Sequence, residues 1–238
     1  MLPVLIIEQD AKLPGHGLLG QRIAAAGLER ASVNAWSDDL ATVDPTRYSA
    51  VIAMGGNASA FDVERDPWLL GVQDLFERTI AAATPAFGIC LGGQVLARTL
   101  GADVRIGETG EYGWHEISPL PAAADDPVLS ALTQRSGTMQ WHRDTFDVPA
   151  GAVRLAESTA TVNQAFRFGS TTWGIQFHPE VEVDVFDIWQ ANHPGAAAAT
   201  GMTLTELRAT VVRGCDASRA WRSDLFDRFL AVAKGNTR

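Results

Sequence analysis

The chain has 238 residues, 46% of them hydrophobic and 20% charged, which fits one globular domain with a full core. Lys and Arg number 19 against 28 Asp and Glu, a formal net charge of −9. This argues against a phosphate-backbone binder, which needs a clustered basic face, and against anionic membrane surfaces.

Val4–Ile7 is a short apolar run rich in β-branched residues and reads as a buried strand. Gly17 to Gly27 carries Leu18, Leu19, Ile23 and Ala26 at helical spacing, and Val33–Trp36 and Ala50–Met54 read as further strands. Asp66-Pro67 is a helix start, with Asp66 expected to cap the free amides and Pro67 suited to the first turn. The helix then runs through Trp68, Leu69, Val72, Leu75, Phe76 and Ile80 to Thr84-Pro85. Ala86–Ile89 is a strand and Leu91–Leu100 a helix, with Cys90 between them. Alternating strands and helices predict a mostly parallel sheet covered on both faces.

Beyond Gly101 the expected strands are short: Val104–Ile106, His115–Ile117, Ala165–Phe168 and Thr172–Phe177. Pro119 to Pro127 is expected to be irregular. From Val181 the chain reads as helical again, with Thr203 and Glu206 at capping-box spacing and a last amphipathic helix over Ser223–Ala233. Ala196–Ala199 reads as a helix fragment or loop. One domain over residues 1–238 is the simplest organisation.

No apolar run reaches the roughly 20 residues of a spanning helix, and Met1–Glu8 has no basic signal-peptide start. Two cysteines, Cys90 and Cys215, make no disulfide framework, so a reducing, cytoplasmic setting is expected. No His/Cys/Asp cluster has metal spacing and no G-x-G-x-x-G follows the first strand, so neither a metal nor a nucleotide cofactor is expected. His16 and His193 are read as surface residues, His115 as a strand residue beside the site and Cys215 as structural. His142 is either bonded to loop backbone or lines the pocket. Trp189 and Trp221 either pack the C-terminal segment on the core or line a partner surface.

Gly88-Ile89-Cys90-Leu91-Gly92 has the form G-x-C-x-G between a strand and a helix, the layout of a nucleophile elbow with Cys in place of Ser. The sharp turn strains the central residue and leaves no room for neighbouring side chains. It presents a sulfur at a helix N-terminus, where free amides favour a thiolate and can hold an oxyanion. Read alone, Cys90 would be a small buried core residue, as free cysteines commonly are, and it is the elbow spacing that favours the nucleophile. A thiol nucleophile needs an oriented base, and Phe177-His178-Pro179-Glu180 offers one at a strand end. Pro179 favours an extended His178, and extended residues two apart face one side, so Glu180 can hold the imidazole that takes the Cys90 proton.

These residues resemble the class I (triad-type) glutamine amidotransferases, and the joint pattern is similar to the amidotransferase domain of GMP synthase. Pro85–Gln94 is similar to the nucleophile motif, Gly174–Glu180 to the His-x-Glu motif, Gly55–Ser59 to the Gly-Gly loop and Met139–Asp144 to the loop around an internal His. The four motifs cover about residues 1–181 in the family's order, and 182–238 form a helical C-terminal extension outside them. The resemblance implies an α/β flavodoxin-like fold and a Cys90, His178, Glu180 triad. Cys90 would attack the glutamine side-chain amide, form a γ-glutamyl thioester and release ammonia. Water would then give glutamate. The oxyanion hole would map to the amides of Gly56, beside Gly55, and Leu91. Gln94 and the backbone of Gln140 and Trp141, near His142, would contact the substrate's α-amino and α-carboxyl groups. Trp141 and Arg143 stand where smaller residues occur in some members, which would reshape the rim. The extension is too short for an ammonia-consuming domain. The implied choices are a glutaminase feeding a synthase partner, a stand-alone γ-glutamyl peptide or γ-glutamyl amine hydrolase with the same triad, or a non-catalytic partner subunit.

Overall fold

The computed structural model describes residues 1–13, 15–192 and 196–235. Nine strands form its sheet: β1 (Val4–Glu8), β2 (Arg30–Asn34), β3 (Ala50–Ala53), β4 (Ala86–Ile89), β5 (Val104–Pro119), β6 (Ser136–Phe146), β7 (Val153–Glu157), β8 (Ala165–Phe168) and β9 (Thr172–Ile175). The helices are α1 (Gly17–Ala25), α2 (Trp68–Ala81), α3 (Leu91–Thr99), α4 (Val183–Asn192) and α5 (Leu204–Gly235), with short 3-10 turns between. Spatial order is β2-β1-β3-β4-β9-β8-β7-β5-β6. The first five pair in parallel and the rest antiparallel. The parallel half has the flavodoxin-like order, as expected.

The central strands are continuously apolar because both sheet faces are covered. Val4, Ile6, Phe87 and Ile89 face α1 and α5, while Leu5, Ile7, Val51 and Ala53 face α2 and α3. Phe87 packs on Phe229 and Phe226 of α5 at ring distances of 4.9 and 6.4 Å, and Trp173 meets Phe229 edge-on at 6.0 Å. A third cluster joins Met139 to α4 and the first half of α5.

Several elements depart from the sequence reading. The second strand is Arg30–Asn34, not Val33–Trp36, because pairing with β1 sets its register and leaves Trp36 exposed beyond the strand end. Asp66 caps no amide; its carboxylate pairs with Arg65, and α2 has no side-chain cap. The two expected strands at Val104–Ile106 and His115–Ile117 are one, β5, with a bulge between Ile106 and Glu111. Met139–Asp144, expected as part of a loop, lies within β6, and β7 is a strand that the sequence pattern does not mark. The last two helices are one, α5. The Thr203–Glu206 capping box does form, with Thr203 N–H donating to Glu206 Oε2 at 2.9 Å and Glu206 N–H to Thr203 Oγ1 at 3.3 Å. His16 is half-buried and pairs with Glu8 at 2.5 Å rather than lying free on the surface. His193 lies outside the described residues. Among the described residues, no helix is long and apolar enough to cross a membrane.

The irregular region is pinned by Asp126. Its buried carboxylate accepts from the amides of Val128 and Leu129 at 2.9 and 2.8 Å, from Trp173 Nε1 at 3.1 Å and from Arg167 Nε at 2.8 Å. Removing it strands buried donors and a half-buried guanidinium. Asp126→Ala should therefore lower unfolding free energy by about 2–4 kcal/mol, read from urea denaturation, with Asp126→Asn losing less.

Candidate active site

Three neighbouring parallel strands deliver the site residues from their carboxyl ends, where open α/β sheets place their ligands. Gly55 and Gly56 follow β3, Cys90 follows β4 and His178 follows β9 by three residues. Cys90 has φ 51° and ψ −108°, in left-handed space that side chains avoid. Its amide donates to Ile175 O at 2.8 Å, its carbonyl accepts from Gln94 N at 2.9 Å, and Gly92 N donates to Met54 O at 3.2 Å. A Cβ on Gly92 would stand 2.2 Å from Ala53 O, and one on Gly88 2.4 Å from Gly92 O. Only glycine lets the turn close this tightly against β3, which is the steric requirement read from the sequence.

His178 N–H donates to Met139 O at 2.9 Å, tying the segment after β9 to β6. The ring Nδ1 lies 2.7 Å from Glu180 Oε1, and Trp189 packs edge-on at 5.0 Å. Gly55 fits between the two functional groups: a Cβ there would be 2.9 Å from His178 Cε1 and 3.6 Å from Cys90 Cβ. Gln176 Nε2 donates to Cys90 Sγ at 3.6 Å. Cys90, His178 and Glu180 are 5%, 3% and 1% exposed. Burial pulls the imidazole pKa down, but the Glu180 charge, followed by the charge and hydrogen bond of Cys90, outweighs it and raises the value to about 10.

Cys90 opens on a cleft of about 220 Å³ whose walls include Gly56, Gln94, Tyr112, Trp141, His142 and Arg143. His178 and Glu180 are not among the walls of this cleft. Leu91 is buried as the first residue of α3. Gln94 lines the cleft while its Nε2 donates to Asp144 O and Gln176 Oε1 at 3.1 and 3.2 Å. Trp141 O lies 4.0 Å from Cys90 Sγ. The Gln140 side chain points away from the cleft into a buried bond with Gln164 at 3.0 Å. Both readings of His142 hold: it lines the cleft, and its Nδ1 lies 3.1 Å from Asp144 O. His115 is exposed on β5 and contacts Tyr112 O at 2.7 Å.

Behind His142 is a buried carboxylate that the sequence did not reveal. Glu111 Oε2 lies 3.3 Å from His142 Nε2 and accepts from Gln164 Nε2 at 2.8 Å. Burial raises the Glu111 pKa, but bonds from His142, Ser158 and Thr161 outweigh it and hold the carboxyl below its ordinary range. Only the β5–β6 pairing, with Glu111 opposite His142, brings these residues together. Gln176 was more legible, since strand alternation places it on the His178 side of the chain. Among the described residues, no group of three or more His, Cys, Asp or Glu could hold a metal ion.

The family model for glutamine amidotransferase class-I matches residues 18–188. The chain belongs to the class-I glutamine amidotransferase family. A glutamine amidotransferase-like protein, L716, of Acanthamoeba polyphaga mimivirus is 24% identical over 184 residues, covering 76% of this chain and 82% of that one. The glutamine-hydrolyzing GMP synthase of Porphyromonas gingivalis is 39% identical over 101 residues, 41% of this chain but only 19% of that protein. A Thermotoga maritima glutamine amidotransferase shares the fold, with TM-score 0.87 at 24% identity over 98% of this chain and 99% of that one.

In this chain the pKa of the buried imidazole is raised to about 10 from an ordinary 6.5, so the ring stays protonated through neutral pH. A folded-state pKa raised in this way stabilises the fold fully below the lower value and is lost as pH rises through the upper one. His178→Gln should therefore cost most stability near about pH 6 and progressively less toward about pH 10, as read from urea midpoints of both proteins across that range.

Proposed function

We propose that this protein hydrolyses the side-chain amide of glutamine, with Cys90 as nucleophile. The observation that carries the reading is a strained cysteine facing a cleft, backed by a buried His178 whose far nitrogen is held 2.7 Å from Glu180. With His178 already holding the proton drawn from Cys90, the sulfur attacks the amide carbon. The amides of Gly56 and Leu91 stabilise the oxyanion, since Leu91 opens α3 where helix donors are free. The C–N bond breaks, the imidazolium proton goes to the leaving nitrogen, and ammonia departs from a γ-glutamyl thioester. Water then gives its proton to His178, attacks the thioester and releases glutamate, leaving the sulfur free and the proton on His178. Gln94 and the Trp141 backbone orient the α-amino and α-carboxyl groups. A synthase on a separate chain is the proposed ammonia acceptor, by analogy with the GMP synthase relative.

A second reading is favoured by the rim. Tyr112 and Trp141 meet edge-on at 5.7 Å, and exposed Arg143 stands beside them in the cleft wall. This surface could seat a leaving group larger than ammonia, so γ-glutamyl peptides or amines are the alternative substrates; the thioester chemistry is unchanged.

Cys90→Ala should abolish both hydrolysis and thioester trapping; surviving turnover removes Cys90 from the reaction. Assays of the chain alone with glutamine, γ-glutamyl dipeptides and γ-glutamyl amines separate the two readings. Turnover of a γ-glutamyl compound with glutamine inert selects the second.

A further inference from the structure

The carboxylate that steadies His178 is weakly held by its own side-chain contacts. Glu180 Oε1 bonds the imidazole, but the buried Oε2 has no hydrogen-bond partner among the described residues. Its direction must then be set by the backbone that carries it, and that backbone is gripped from two sides. On one side, Glu180 O accepts from Leu18 N at the start of α1 at 2.8 Å. The approach is so close that a Cβ on Gly17 would stand 2.0 Å from that oxygen. On the other side, Pro179 O and Val181 O, which flank Glu180, both accept from Arg222 Nη1 at 2.9 Å.

Arg222 lies on α5, outside the segment matched by the family model, and its side chain is fully buried. Nε donates to Ser218 Oγ at 2.8 Å, and Nη2 to Glu182 Oε1 at 3.0 Å and Cys215 O at 2.9 Å. With the two Nη1 bonds these make five, one for every N–H of a guanidinium. Its face lies over Trp114, 5.7 Å from the ring centroid. A planar fork of fixed geometry, fully used, is a rigid spacer in a way that a lysine ammonium is not.

We propose that Arg222 is a positioning residue for the reaction: by holding the two carbonyls on either side of Glu180, it aims the carboxylate at His178. It touches no substrate and acts through Glu180. The inference rests on the proposed Cys90 chemistry, because only there does the direction of Glu180 affect a rate.

The test uses the full chain with Arg222→Ala and Arg222→Lys. Arg219→Ala is the control, since Arg219 reaches Glu182 at 2.5 Å but neither carbonyl. Arg222→Ala should lower kcat by roughly ten- to a hundredfold with KM changed less than about twofold. It should also move the pH profile of Cys90 alkylation by iodoacetamide, followed by mass spectrometry. Added guanidinium should restore part of the loss; Arg222→Lys, keeping the charge without the fork, should remain impaired; Arg219→Ala should match the wild type. If Arg222→Ala does not fold, Arg222→Lys is read by the same kcat and alkylation criteria. A wild-type kcat and alkylation profile in the folded Arg222 variants overturns the proposal while the hydrolase reading stands. A wild type inert toward every substrate, with alkylation profiles still shifted by Arg222→Ala, sinks the hydrolase reading instead and keeps the positioning role.

Discussion

Cys90 occupies left-handed backbone space because three neighbouring strands leave the chain no other path. Its amide is claimed by β9, the helix after it is drawn in by a bond to Met54, and Gly92 comes within a side chain's width of Ala53. Strain of this kind costs on the order of 1–3 kcal/mol and persists only where its surroundings over-determine it. Here the over-determination is the parallel pairing of β3, β4 and β9. Their carboxyl ends bring Gly55, Cys90 and the approach to His178 to one edge, so the elbow, the cleft and the imidazole arise from one stretch of sheet.

The parts of the site legible in the sequence are those fixed by local rules. Gly88-Ile89-Cys90-Leu91-Gly92 announces a tight strand-to-helix turn by steric need alone, and His178-Pro179-Glu180 announces a same-side pair through the period of an extended chain. The parallel core strands showed as unbroken apolar runs. The second half was harder to read because β5 and β6 form a ribbon with polar and glycine-rich faces, where neither a period of two nor a continuous apolar run survives. Glu111 becomes a neighbour of His142 only once that ribbon is paired. Gln140 was expected to act through its backbone, and its side chain turns inward to a buried bond with Gln164. Asp66 had the right residue type for a cap, but the neighbouring Arg65 took its carboxylate.

The C-terminal segment, α4 and α5, shows how far a site can extend beyond its motifs. The sequence left open whether Trp189 and Trp221 served the core or a partner surface. Trp189 packs against the His178 ring and Trp221 against Phe177, at 5.0 and 6.2 Å, so both brace the segment that carries the imidazole. No local pattern in the motif region points to this support, because Trp189 and Trp221 both lie beyond the last motif residue, Glu180.

α5 also shares its apolar face with the central strands, through Phe226 and Phe229 against Phe87 and Trp173. The segment matched by the family model, residues 18–188, is therefore smaller than the unit that folds. A boundary drawn at the last recognisable motif would cut through a single hydrophobic interior, leaving Phe87 and Trp173 facing water where a helix belongs.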